Sequence, residues 1–410
     1  EVLRKVSPST GNAPIVGLVT YTTHPTADEL FDISDDRLRA RASLKWSNVD
    51  VDVLPAWVAE MDVHLAPAII DALQNAITRH DAGYPGSGEG VTQAFSDFAR
   101  DRWNWNIEPD QVSIHVDAAT AAAKLMRHYA GADRSVMIMP PVYNRFYDWL
   151  DVGGVRPVEV PLTDVPNGGY FDLDGIEAGL KAGTKVILLC NPHNPLGRVF
   201  SRQELSELAE LAERYDAVVL SDEIHAPLVY HGVEYSPWLT VSEAAANTGI
   251  AIHTATKSWN FAGLKCGIAI RSTTGPWPDD LDPKTSLTDS GFWGILATEA
   301  AFSQSRDWLD TVREHFEAQT GRLTQLLAEH LPEVKFHPPE ASFLAWLDFG
   351  DTDLREEPSE YFLREARVAL NPGTRFGAAG EGYARLNMGT SAQRLERIIK
   401  AMGKAWPPAA

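Results

Sequence analysis

The chain has 410 residues, 44% hydrophobic and 22% charged, with a formal net charge of −20. At roughly 150 residues per domain this is a soluble globular chain of about two or three domains. So acidic a surface repels phosphate backbones and argues against a nucleic-acid partner, and no run of eighteen apolar residues reads as a membrane span.

Residues 1–27 are rich in Ser, Thr, Pro and Gly and lack the basic-then-apolar order of a secretion signal. They read as an N-terminal extension. "APAIIDALQNAITRH" (66–80) reads as a helix that Pro67 helps to start, with Ile69, Ala72, Leu73, Ala76 and Ile77 on its apolar face. A glycine-rich loop, "DAGYPGSGEG" (81–90), follows. Short apolar runs then alternate with helical stretches: "VSIHV" (112–116), "SVMIM" (135–139), "RPVEV" (156–160), "KVILLC" (185–190), "AVVLS" (217–221), "IAIHT" (250–254) and "CGIAI" (266–270). Several are continuously apolar, as strands of a sheet covered on both faces are. "SRQELSELAELAERY" carries a capping box at Ser201 and Glu204 ahead of an apolar face.

After about residue 300 the texture changes. "REHFEAQTGRLTQLLAEHL" reads as a long amphipathic helix, "ASFLAWLDF" and "YARLNM" as strands, and "SAQRLERIIKAMGKAW" as a closing helix. The expected class is α/β. A large domain over 80–303 holds a mainly parallel seven-stranded sheet, and a smaller α+β domain is built from 28–79 and 304–410. Cys190 and Cys266, the two cysteines, lie in apolar runs and read as buried free thiols of a reducing cytoplasm.

Ligands of open α/β sheets bind beyond the carboxyl ends of the strands. There this chain places Tyr143 in "PPVYNRFY", Asn194 in "NPHNPLG", Asp222 and His225 in "DEIH", and Lys257 in "ATK". A lone lysine at the mouth of a buried strand is out of place as a solvated charge. Asp222 and His225 have no further ligands at metal-binding spacing.

In this order the motifs resemble the pyridoxal-phosphate enzymes of fold type I, the aminotransferase class I/II group. "LPAWVAEMDV" (54–63), "SDEIHAPLVYHG" (221–232), "FLAWLDF" (343–349) and "ARLNMG" (384–389) are similar to its cystathionine β-lyase, or cysteine C–S lyase, branch. The resemblance runs from about residue 30 to 400. It implies that Lys257 forms the covalent link to the cofactor aldehyde and then moves the Cα proton, which requires a lowered amine pKa. It implies Asp222 against the pyridine nitrogen, Asn194 on the ring's 3-oxygen, and Tyr143 stacked on the ring. His225 either reaches the same oxygen or supports it. The phosphate would take Thr254, Thr256, Lys265 and the helix start at Ala118, Ala119 and Thr120. Arg385 matches the arginine that grips the substrate carboxylate, with Trp57 and Asn194 beside it. Tyr84 matches a tyrosine that reaches the neighbouring subunit's cofactor, which implies a homodimer with shared active sites.

Two positions depart from the branch. Asp117 stands beside the anion site where a neutral residue is usual, and either caps the helix and points away or weakens cofactor binding. Glu60 replaces the Asp of the "ADMDF" version of the first motif. The expected reaction is α,β-elimination from L-cystathionine or a related S-substituted cysteine to a thiol, pyruvate and ammonia. An aminotransferase shares the first steps and is the alternative. A regulatory or binding protein on this fold is a third reading, which no appended helix-turn-helix or basic tail favours.

Overall fold

The computed structural model describes residues 25–278 and 283–406. The proposed extension up to residue 24 lies outside the described residues; Thr26 caps a short helix, Ala27–Phe31, through a capping box with Glu29. The labelled helices are α1 (Pro67–Thr78), α2 (Glu89–Trp103), α3 (Ala118–Tyr129), α4 (Arg145–Gly153), α5 (Arg202–Arg214), α6 (Phe292–Gln304), α7 (Arg306–His330) and α8 (Ala392–Ala405). The main sheet has seven strands: β1 (Val112–His115), β2 (Ser135–Ile138), β3 (Arg156–Glu159), β4 (Val186–Cys190), β5 (Val218–Asp222), β6 (Gly249–His253) and β7 (Gly267–Arg271). Their order is β1-β7-β6-β5-β4-β2-β3. β7 alone runs opposite to the other six strands.

Continuous apolar runs become strands here because both faces are covered. Ile187, Leu189 and Val219 point into one core cluster with Phe95 and Phe98 of α2 and Leu205 and Leu208 of α5. Val186, Leu188, Cys190 and Leu220 point into the other, with Leu125 and Met126 of α3 and Phe146 and Trp149 of α4. Both cysteines are buried and free. No helix among the described residues is long and apolar enough to cross a membrane.

A second, antiparallel sheet follows: β8 (Lys335–Phe336), β9 (Leu344–Asp348), β10 (Asn371–Pro372) and β11 (Tyr383–Asn387), in the order β10-β11-β9-β8. The N-terminal segment joins it. Leu54–Pro55 pairs in parallel with Val368–Ala369, and α8 returns to the same segment through Arg394, which binds Asp35 and the Ile33 carbonyl. α1 packs instead against α6. On α1 the expected apolar face is narrower than its spacing implies: Ile69 and Ala76 are buried, while Ile77 is 61% exposed. The long helix α7 starts at Arg306, seven residues before the amphipathic run read from sequence.

A buried ion pair fixes the N-terminal segment over the sheet edge. Lys45 Nζ lies 3.0 Å from Asp62 Oδ2, both side chains being 1% exposed. It also donates to the Glu60 carbonyl, and Trp46 Nε1 donates to Asp62 Oδ1 at 2.6 Å. Removing one member strands the other charge in the interior. Lys45→Ala is therefore expected to cost about 3–5 kcal/mol in thermal or denaturant unfolding, whereas the double apolar replacement Lys45→Met with Asp62→Leu costs much less.

Candidate active site

The carboxyl edge of the main sheet gathers its polar residues because parallel strands all end there. Asp222 is the last residue of β5, Asn194 lies four residues beyond β4, and Lys257 four beyond β6. Asp222 is 1% exposed. Its Oδ1 accepts from the Ile224 amide at 3.1 Å, and its Oδ2 has no hydrogen-bond partner among the described residues. Burial pushes its carboxyl up to about 7; the Ile224 amide opposes this and the neighbouring Glu223 adds to it. Lys257 is partly buried, its Nζ 3.5 Å from the Ala59 carbonyl. Desolvation pulls its amine down to about 8, assisted by the Arg385 charge and opposed by Glu60 and Asp222.

Arg385 rises from β11, opposite Trp346 of β9. Its guanidinium donates to Asn194 Oδ1 and to the Trp57 carbonyl, each at 3.0 Å, and stands 5.0 Å from the Phe376 ring. Its Nε is unpartnered, and no carboxylate pairs with it among the described residues. Burial alone lowers this guanidinium to about 10, so the site holds a desolvated cation without its counter-ion. Trp57 contributes its carbonyl here, because its indole turns away to donate to the Lys45 carbonyl. His225 is buried with both ring nitrogens unpartnered. Desolvation lowers its imidazole to about 3, with the charges of Lys257 and Arg385 acting in the same direction. Tyr143 is partly buried, edge-on to Phe146 and Trp149, and burial pushes its phenol up to about 12.

At the start of α3, Asp117 is the N-cap: its Oδ1 accepts from the Thr120 amide at 2.7 Å. Asp117 Oδ2 lies 3.1 Å from Lys265 Nζ. The Thr120 amide and the Lys265 charge are thus engaged by this chain's own carboxylate. The amides of Ala118 and Ala119 have no acceptor within the helix. β7 comes close because it begins with Gly267, where a Cβ would lie 2.6 Å from Ala118 N. Thr254 Oγ1 is 2.7 Å from the Cys266 carbonyl and 3.0 Å from Thr256 Oγ1. Tyr84 stands apart from this group, 87% exposed.

Three further residues hold the site together and were not singled out for it in the sequence. Asn387 Nδ2 donates to the carbonyls of Val58 and Glu60. Asn260, three residues after Lys257 and at φ 59°, pairs with both the amide and the carbonyl of Met61. Glu223, fully buried under Asp222, takes Ser221 Oγ, the Trp238 amide, Tyr235 OH and His253 Nε2. The left-handed asparagine beside the lysine was the one readable sign.

The sequence profile of the family described as Aminotransferase class I and II matches residues 58–402. The chain belongs to that family. The cystathionine β-lyase of Corynebacterium glutamicum is 33% identical over 374 residues, covering 89% of this chain and 97% of its own. A cystathionine β-lyase of Bacillus subtilis is 32% identical over 389 residues, covering 90% and 99%. Among solved structures, the Corynebacterium diphtheriae protein assigned as a PLP-dependent β-cystathionase superposes with TM-score 0.85 at 36% identity, covering 92% and 98%.

As a member of this family the chain is a pyridoxal-phosphate enzyme, and its residues fit that cofactor. An orphaned buried carboxylate oxygen suits a protonated ring nitrogen. An amine of lowered pKa suits an aldehyde, and open helix amides suit a phosphate. Among the described residues no group of three or more His, Cys, Asp or Glu could hold a metal ion.

Two outcomes follow. The rate at which cofactor-free protein captures the aldehyde should rise with pH through about 8 and then level off, tracking the neutral Lys257 amine; absorbance stopped-flow measures it, and Lys257→Ala should leave nothing that borohydride can fix. Asp117→Asn keeps the cap but removes the charge and releases Lys265. It should tighten cofactor binding about tenfold in equilibrium dialysis; unchanged binding would place the carboxylate outside the phosphate's field.

Proposed function

We propose that the protein is a carbon–sulfur β-lyase that cleaves L-cystathionine or a related S-substituted cysteine to a thiol, pyruvate and ammonia. The observation that carries this reading is Arg385, a buried guanidinium without a counter-ion near Lys257, whose amine pKa is lowered to about 8. The relatedness to cystathionine β-lyases supports the choice of leaving group.

Bound pyridoxal phosphate supplies an electron sink for the pair released at Cα. Arg385 binds the α-carboxylate and, held by Asn194 and Trp57, fixes the substrate in one orientation. Lys257 takes the Cα proton; with its ordinary pKa lowered to about 8, enough neutral amine exists near neutral pH to act as the base. Asp222, through its free Oδ2, would keep a proton on the pyridine nitrogen of the cofactor, and Asn194 and His225 would serve its 3-oxygen. Tyr143 would cover the ring, and the Ala118 and Ala119 amides with Thr256 would receive the phosphate. The Cβ–S bond breaks, the thiolate leaves and is protonated, and water converts the remaining three-carbon fragment to pyruvate and ammonia.

Tyr84, solvent-exposed on its loop, completes the phosphate site of a second copy, so the enzyme works as a homodimer with shared sites. In the proposed division Lys257 falls in a large domain (80–303) and Arg385 in a small one (28–79 with 304–410), with α1 (Pro67–Thr78) packed on α6 of the large one. Buried free thiols accord with a cytoplasmic enzyme of sulfur amino-acid metabolism, the process in which methionine is made.

The test is incubation of purified holoenzyme with L-cystathionine and no keto acid. Equal amounts of thiol and pyruvate are expected; turnover only when a keto acid is supplied would make the enzyme an aminotransferase. Arg385→Ala should lower kcat/KM about a hundredfold by removing one partner of a buried charge pair, and Arg385→Lys should restore little of it.

A further inference from the structure

The loop Gly373–Gly380 runs between β10 and β11 and is pinched at its base. A Cβ on Gly373 would lie 2.1 Å from the Gly380 carbonyl oxygen, and one on Gly380 2.0 Å from that of Gly373. The pinch holds Phe376 under Arg385, and the Phe376 carbonyl accepts from the Val142 amide at 2.9 Å, next to Tyr143. Residues on either side of Phe376 form one wall of a cleft of about 660 Å³; the start of α4 and the end of β3 form the other. The cleft thus begins one residue from Tyr143 and one residue from Phe376. Its Arg145 is near enough to Lys257 for its charge to act on that amine.

The charges in this cleft are of both signs. Arg145 pairs with Asp148 at 2.9 Å, and Glu159 accepts from Tyr147 OH at 2.8 Å. Arg375, on the facing wall, has no hydrogen bond or ion pair among the described residues. A free guanidinium opposite two carboxylates matches a zwitterion: a carboxylate for Arg375 and an ammonium for Glu159 and Asp148.

We propose that this cleft is a distal subsite for a second α-amino-acid head group, with Arg375 as its carboxylate anchor. The preferred substrates are then thioethers or disulfides of cysteine that carry an amino acid at both ends, rather than S-alkyl cysteines. The proposal rests on the lyase reading, in which Arg385 holds the near carboxylate and the sulfur lies between the two arginines.

Holoenzyme and its Arg375→Ala variant are assayed with L-cystathionine and with S-ethyl-L-cysteine, which has no distal head group. Arg375→Ala should raise KM for cystathionine about tenfold, leave kcat within about twofold, and leave KM for S-ethyl-L-cysteine where it was; Arg375→Lys should recover part of the loss. Equal changes for both substrates, or none for cystathionine, overturn the subsite. Calorimetric binding of diaminosuberate, in which a methylene replaces the sulfur of cystathionine, tests the subsite apart from turnover. Binding about tenfold weaker in Arg375→Ala supports it, and unchanged binding overturns it. Failure of the unaltered enzyme to release thiol from either substrate overturns the lyase reading instead.

Discussion

Desolvated charge without a counter-charge is the constraint on which this molecule turns. Asp222 and Lys257 lie at the edge of the main sheet and Arg385 reaches them from the small one, each displaced from its ordinary pKa chiefly by burial. An interior usually pairs such groups, as it does Lys45 with Asp62. At the sheet edge the pairing is left open on the side where ligand belongs. In the proposed function a ring nitrogen, an aldehyde and a carboxylate would complete the three residues in turn, so that binding energy and catalytic readiness would come from the same groups.

Holding those groups apart from one another requires a rigid surround. The strand ends fix Asp222 and Lys257 along one edge, while Arg385 comes from a separate sheet. What joins the two is the N-terminal segment, tied to the small sheet by Asn387, to the lysine loop by Asn260, and internally by Lys45 and Asp62. The two asparagines bind backbone atoms of the segment, whereas the Lys45–Asp62 pair depends on its own side chains. Glu223 adds a second carboxylate below Asp222, itself satisfied by four donors. The effect is to keep Asp222 as the member of the pair that still lacks a partner.

Much of this was legible in the sequence. The seven strands fall within a residue of the runs read for them; the central ones, buried on both faces, write themselves as unbroken hydrophobic stretches, while the edge strand β3 is largely exposed. The capping box at Ser201 forms as its spacing implies. Lys257, Asp222 and Asn194 stood out because polar residues at the ends of such strands are costly unless used. The sequence was silent where the partner is a backbone atom or a distant loop. Nothing local marks Asn387 as a clasp on Val58 and Glu60, or Arg375 as the wall of a cleft opposite Glu159. Helical spacing puts Ile77 on the apolar face but does not say how far the neighbouring helix reaches, and the residue is exposed. For Asp117 the sequence admits both a helix cap and a charge at the anion site, and the geometry shows it capping α3 while pairing with Lys265.

The most direct test of unbalanced charge is the thermal unfolding of cofactor-free protein at pH 8, wild type against Asp222→Asn, each then titrated with pyridoxal phosphate. A carboxyl whose folded pKa is raised to about 7 contributes stability below its unfolded value near 4 and has lost it by pH 8. The account predicts that the cofactor-free variant melts above the cofactor-free wild type, and that the cofactor raises the wild type's melting temperature by more than the variant's. A cofactor-free variant that melts lower, or equal stabilisation of both proteins by the cofactor, would contradict it.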